Sequence, residues 1–220
     1  MSQIKPYLEN AGIKFFSRVS ASISHEVKNV LAIMNENAGL LEDSVLMAQR
    51  DVPLSHARLE HIAANLRKLV QRADGIIKKM SRFAHDVDMP EETVDLYEAI
   101  YLMVDICARM IESKEIGINV IQPERQITIN TNRFYLQNLL WVCTESIMKT
   151  MNPGETIRIE IVEFNKGTEV IFSFEAMRKE GVEEIQYGKS ATLLLSYLDA
   201  ELIDDAVPSS IHIRWPGKTC

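Results

Sequence analysis

The sequence is short of glycine. Nine glycines in 220 residues is about 4%, against about 7% in average proteins, and no two of them form a Gly-x-Gly pair. Glycine lets backbone N–H groups approach a phosphate closely, so the usual glycine-rich nucleotide loops are not written in this chain. Cysteine is scarce as well. Cys107, Cys143 and Cys220 are an odd number without metal-ligand spacing, which reads as buried or free thiols rather than bridges. Long apolar runs are missing: the longest, Ala99 to Ile111, carries Asp105 and Arg109 and is too short to cross a bilayer. The first residues lack a basic stretch followed by an apolar one, so the expected address is the cytoplasm, with no membrane span. Surplus positive charge is lacking too. With 24 basic and 31 acidic residues, a net charge of −7 and a pI near 5.3, the chain is not built chiefly to neutralise nucleic-acid phosphates. What is present, 46% hydrophobic and 25% charged residues, is globular composition for one large or two small domains, and it excludes disorder, collagen and a disulfide scaffold.

Charge divides unevenly along the chain. Residues 1–90 hold 12 basic and 10 acidic side chains, and residues 91–220 hold 12 and 21. The first part has few helix breakers, and its apolar spacing is helical. Val27, Leu31, Met34, Ala38, Leu41, Val45 and Ala48 alternate by four and three, a heptad seam. After Pro53, with Ser55 as a candidate cap, a second series runs Leu59, Ile62, Leu66, Leu69, Ala73, Ile76, Met80, Phe83. Two such helices on a short connection predict an antiparallel hairpin, and a hairpin alone cannot shield both seams from water. Dimerisation into a four-helix bundle is the expectation, with packing of the hairpin on the second part of the chain as the alternative. Asp86 to Glu92 reads as a linker, which divides the chain into domains 1–88 and 89–220. Beyond it, helices are expected at Leu96–Glu115, Arg133–Met151 and Ala191–Leu202, with strands at Gly117–Ile121, Ile127–Asn130, Thr156–Val162, Thr168–Phe174 and Ser210–Trp215. That order predicts helices on one face of a mixed sheet, an α+β chain overall.

With the first seam centred on Val27, His25 and Asn29 lie roughly 160° to either side, and so within roughly 40° of each other on the solvent face. Glu26 stands to one side. An exposed imidazole is available as a nucleophile, a neighbouring carboxylate can orient it and take its proton, and an amide one turn on can hold a water. Spacing alone favours a surface histidine on a charged helix face, because periodicity gives exposure and not reactivity. His56, His61 and His85 stand among Arg58, Arg67, Lys68, Arg72, Lys78, Lys79 and Arg82 on the second helix. A solvated basic face explains them, and so does a docking surface for an acidic protein. His212, between Ile211 and Ile213, reads as the outward side of a strand, and the ten methionines as core filler.

The string Ser24-His25-Glu26-Val27-Lys28-Asn29-Val30-Leu31 resembles the phospho-acceptor box of two-component sensor histidine kinases, with Val30 where the family commonly has proline. The resemblance implies that His25 accepts a phosphoryl group, that Glu26 assists, and that Asn29 supports hydrolysis of a partner's phospho-aspartate. The second part resembles the family's GHKL-type ATP-binding α/β sandwich in outline only. The helix that would supply two asparagines, one of them for magnesium, carries Trp141 and Glu145 there, and tryptophan cannot chelate. Where the family has an Asp-x-Gly-x-Gly turn this chain has Glu175-Ala176-Met177-Arg178, and Gly188-Lys189-Ser190 replaces the second glycine motif. Glu145 has a competing reading as a general base. The Gly188-Lys189-Ser190 likeness to the end of a P-loop lacks the upstream glycine, since Glu183 stands five residues before.

The resemblance thus implies a dimeric helical hairpin followed by a degenerate ATPase-like domain. The implied function is histidine phosphotransfer between receiver-domain aspartates through His25, with Glu26 and Asn29 beside it. No cofactor of its own is expected, since the receiver would bring the magnesium. The expected partners are a second copy and response-regulator receivers, with no nucleic acid. A receiver-specific phosphatase, a non-catalytic dimeric adaptor and an ATP-dependent autokinase are the alternatives.

Overall fold

The structure, a computed structural model, describes residues 4–164, 167–174, 188–205 and 210–216. The chain divides into two compact units, residues 20–82 and residues 1–19 with 83–220. The first helix, α1 (Ile4–Ala48), contributes to both.

Within residues 20–82, α1 continues to a turn in which Asp51 takes a positive φ of 61°, and α2 (His56–Asp88) begins after Ser55. Ser55 Oγ accepts from Arg58 N at 3.3 Å, the cap expected of it. On α2 every position of the expected series is buried or half-buried, Ile62 and Ile76 among the buried, and Ala64, Asn65, Gly75, Lys79, Ala84 and Asp86 are partly or fully covered beside them. On α1 the inner row differs from expectation. Ile23, Val30, Asn37 and Ser44, spaced by sevens, are buried, whereas Leu31 and Val45 are 53% and 56% exposed. Positions 27, 34, 41 and 48 belong equally well to either of two adjacent heptad rows, so the apolar pattern alone selected the wrong companions. Asn37 and Ser44 were passed over because they are polar. Each satisfies its own donor within the helix, Asn37 Nδ2 to Ile33 O and Ser44 Oγ to Leu40 O, both at 2.8 Å.

The other unit is built on two sheets. β1 (Glu92–Asp95) pairs antiparallel with β3 (Thr128–Thr131). β2 (Gly117–Val120), β4 (Thr156–Phe164), β5 (Gly167–Phe174), β6 (Glu201–Asp205) and β7 (Ser210–Trp215) form a five-stranded sheet in the order β2-β4-β5-β7-β6. Only β2 and β4 run parallel. The sheet is mixed, as expected. α2 runs on through Asp88, so the expected linker shrinks to a few residues before β1, and the last helix, α5 (Gly188–Tyr197), stops where β6 follows. Alternation along β4, β5 and β7 buries Ile157, Ile159, Val170, Phe172, Ile211 and Ile213 on one face. Against them lie α3 (Leu96–Glu112) and α4 (Arg133–Met148), capped by Asp95 and Asn132, whose side chains accept from Glu98 N and Tyr135 N. Leu96, Ile100 and Met103 of α3 and Leu136, Leu139, Leu140 and Ile147 of α4 are fully buried. Cys107 and Cys143 are buried free thiols, and burial pushes the Cys143 thiol up to about 12; Cys220 lies outside the described residues.

The opening of α1 completes this unit. Phe15 of α1, Phe83 of α2 and Phe134 of α4 pack with ring centroids 5.4 to 5.9 Å apart. Gly12 permits the approach: a Cβ there would stand 3.0 Å from Phe134 Cε1. Asp86, near the end of α2, accepts from Gln137 Nε2 at 3.2 Å.

Candidate functional site

His25, Glu26 and Asn29 lie mid-way along α1 in the hairpin unit. His25 and Asn29 are exposed and Glu26 is half-buried, the order their spacing predicts. The buried neighbours Ile23 and Val30 fix the helix face, and therefore the direction in which the imidazole stands. Glu26 is held from across the hairpin: Arg72 Nη2 of α2 donates to Glu26 Oε1 at 3.2 Å. The structure thus brings Arg72, one member of the basic row on α2, to the residue beside the histidine. Arg58, Arg67, Lys68, Lys78 and Arg82 of that row are exposed and Lys79 is half-buried; Lys78 is paired with Asp74 at 2.7 Å. His56, His61 and His85 are exposed, with His61 Nε2 3.0 Å from Asn65 Nδ2.

The second location is the face of α4 carrying Trp141 and Glu145. Arg18 of α1 closes on it. Arg18 Nη1 donates to Glu145 Oε2 at 3.0 Å and Nη2 to Oε1, while the same guanidinium lies 5.7 Å from the Trp141 ring centroid. Lys149 Nζ stands 4.0 Å from Glu145 Oε2. The Arg18 hydrogen bonds hold the Glu145 carboxyl below its ordinary value against the opposing effect of burial, and Arg18 is raised in turn. A carboxylate kept charged by two cations is a poor proton acceptor, which removes the general-base reading. Nor do these residues fit a magnesium nucleotide, since an indole offers no metal ligand and both Glu145 oxygens are taken by Arg18.

Gly188-Lys189-Ser190 forms the exposed start of α5; Glu175–Arg178 and Glu183 lie outside the described residues. Among the described residues no group of three or more His, Cys, Asp or Glu could hold a metal ion, and no helix is long and apolar enough to cross a membrane. On the outward side of β7, His212 Nδ1 is 3.0 Å from Glu169 Oε1 and its Nε2 is 3.0 Å from Ser210 Oγ. Arg214 Nη2 donates to the same Glu169 oxygen at 2.9 Å. His212 faces outward as its alternation predicts, and the cluster around it ties two strands together.

Sequence reasoning singled out neither Arg18 nor Arg72 individually. Arg72 was visible only as part of a basic row. Arg18 meets its partner 127 residues away, a separation that periodicity cannot bridge.

No family model matches the chain, and no curated protein does. Among solved structures, the chain is similar to the catalytic domain of the histidine kinase ThkA, with 10% identity over 58% of this chain and 97% of that one and a TM-score of 0.47. It is similar also to the Acinetobacter baumannii histidine kinase AdeS, with 8% identity over 89% and 98% and a TM-score of 0.47. A bacterial phosphotransferase is similar at 10% identity over 90% and 94%, with a TM-score of 0.45.

Proposed function

We propose that the chain is a dimeric histidine phosphotransferase of two-component signalling, which receives a phosphoryl group from one receiver-domain aspartate on His25 and passes it to another without using ATP. The observation that carries this reading is His25, exposed on a helical hairpin inside the string Ser24-His25-Glu26-Val27-Lys28-Asn29 with Glu26 tethered beside it. In the transfer, the His25 Nε2 lone pair forms the N–P bond while the P–O bond to the receiver's aspartate breaks, its electron pair returning to that carboxylate. The Glu26 carboxylate offsets the positive charge that develops on the ring. The receiver's own magnesium neutralises the phosphoryl oxygens. The basic row of α2 offers an acidic receiver a complementary surface, and Arg18 on Glu145 supports a route without nucleotide.

Dimerisation is part of the same proposal. Leu31, Val45, Val70 and Ile77 are each more than half exposed in the single chain, and they form second apolar rows on both helices that a four-helix bundle would cover.

Incubation of the protein with phosphorylated receiver domains, and separately with ATP, tests this. Label is expected on the wild type from receivers and not from ATP, with none on His25→Ala. Label reaching His25 from no receiver overturns the phosphotransferase; label from ATP restores the autokinase. Asn29 carries the phosphatase alternative: Asn29→Ala then abolishes receiver dephosphorylation and spares transfer.

A further inference from the structure

We propose that the cavity between the start of α1 and α4 binds a small organic acid, an apolar body carrying one carboxylate or phosphate group, without a metal ion. The site is separate from the chemistry proposed for His25. It lies within the unit of residues 1–19 and 83–220 and is built from two helix stripes. Ala11, Lys14, Phe15 and Arg18 of α1 line one side, and Asn138, Trp141, Val142, Glu145 and Lys149 of α4 the other. Each set recurs at helical spacing and so falls within roughly 100° of arc on its own helix. The cavity measures about 570 Å³, inside the roughly 300–1,000 Å³ typical of small-molecule sites. Because α1 supplies one wall, this is a different space from the nucleotide face of an ATPase-like domain alone.

Three features of the lining set the ligand class. The first is a pair of orphaned donors on one face of α4. Asn138 and Trp141 are each 2% exposed, and Asn138 Nδ2 and Trp141 Nε1 have no hydrogen-bond partner among the described residues. A buried donor left unpaired carries the full cost of its lost hydration, and the cavity that both side chains line has room for an acceptor group. The second is charge. Lys14, Arg18 and Lys149 stand against one acid, Glu145, and Arg18 already holds both oxygens of that carboxylate. Lys14, and Lys149 at 4.0 Å from Glu145, remain as a positive surplus that attracts an anion. Since the single carboxylate of the lining is taken, the anion is held by N–H donors and cations rather than through a metal. The third is the apolar surface of Ala11, Phe15 and Val142, which suits an uncharged body behind the acid group.

Nitrogen-15 NMR of the full chain tests the proposal. The indole N–H of Trp141 reports from the cavity wall, that of Trp215 on β7 serves as the internal control, and Trp141→Phe assigns the two signals. Phenyl phosphate and benzoate are the probes. At least one is expected to move the Trp141 signal saturably while the Trp215 signal stays in place, and the tighter of the two identifies the acid group. Lys14→Gln combined with Lys149→Gln, both exposed side chains, should weaken that binding about tenfold. Saturable movement by neither probe, or equal affinity in wild type and the double variant, overturns the proposal. Benzyl alcohol binding as tightly as the better probe does so as well, because the charge then plays no part. Inorganic phosphate binding as tightly as the better probe has the same effect, since it marks an adventitious ion only. Magnesium ATP moving the Trp141 signal at a lower concentration than either probe overturns it in favour of a nucleotide site.

Discussion

The two units of this chain bury their apolar residues to very different degrees. Among residues 20–82 four apolar side chains are buried, Ile23, Val30, Ile62 and Ile76, whereas α4 alone, with 16 residues, buries Phe134, Leu136, Leu139, Leu140, Trp141, Cys143, Ile147 and Met148. The difference follows from shape. A helix packed on a sheet and flanked by other helices is covered on most sides, while each helix of a hairpin has one neighbour. The α/β unit can thus be stable through its own core, and the hairpin leaves apolar rows for another surface to cover. The phosphoacceptor candidate sits in the thinly packed unit, and the face that would be needed for nucleotide sits in the dense one, closed by Arg18.

The harshest way to break this contrast is to remove the ring at the centre of the dense unit. Phe83 is fully buried between Phe15 and Phe134, and Phe83→Ala should cost about 3–5 kcal/mol, read as a lowered midpoint in urea. A change of similar reach but opposite kind lies in the hairpin. Leu31→Asp with Ile77→Asp alters residues 53% and 55% exposed in the single chain, so helix content should stay close to wild type while sedimentation reports a monomer. A dimer that persists would show that the second rows are covered in some other way. The smallest effect belongs to Arg18 and Glu145. The Glu145 carboxyl is held below its ordinary value in the folded chain, so its contribution to stability is present above the unfolded value, about 4.3, and is lost as the pH falls through the folded value. Glu145→Gln should therefore be less stable than wild type at pH 7, by about 1 kcal/mol, and the gap should close in acid.

Much of this architecture was legible in the residues. Ser55 capped its helix because its hydroxyl can accept from the backbone three residues on, and β4, β5 and β7 showed themselves through a period of two. β1 and β6 did not: four and five residues long and rich in acids, they exist because a neighbouring strand pairs with them, which no local pattern records. The inner row of α1 was misread because it includes Asn37 and Ser44, whose polar groups are satisfied within their own helix. In the candidate site, the exposure of His25 and Asn29 followed from helical spacing. The clasps at Arg72 and Arg18 join residues far apart in sequence, and only folding brings them together.

The polar stretch of that inner row gives the hairpin a gradient along its length. Ile23 and Val30 flank His25, while Asn37 and Ser44 occupy the row toward the turn, where every residue from Gln49 to Arg58 is exposed. On α1 the buried apolar side chains therefore stand beside the histidine and give way to polar ones toward the turn. The α1 segment that aims the imidazole is thus seated by Ile23 and Val30, apart from the exposed turn.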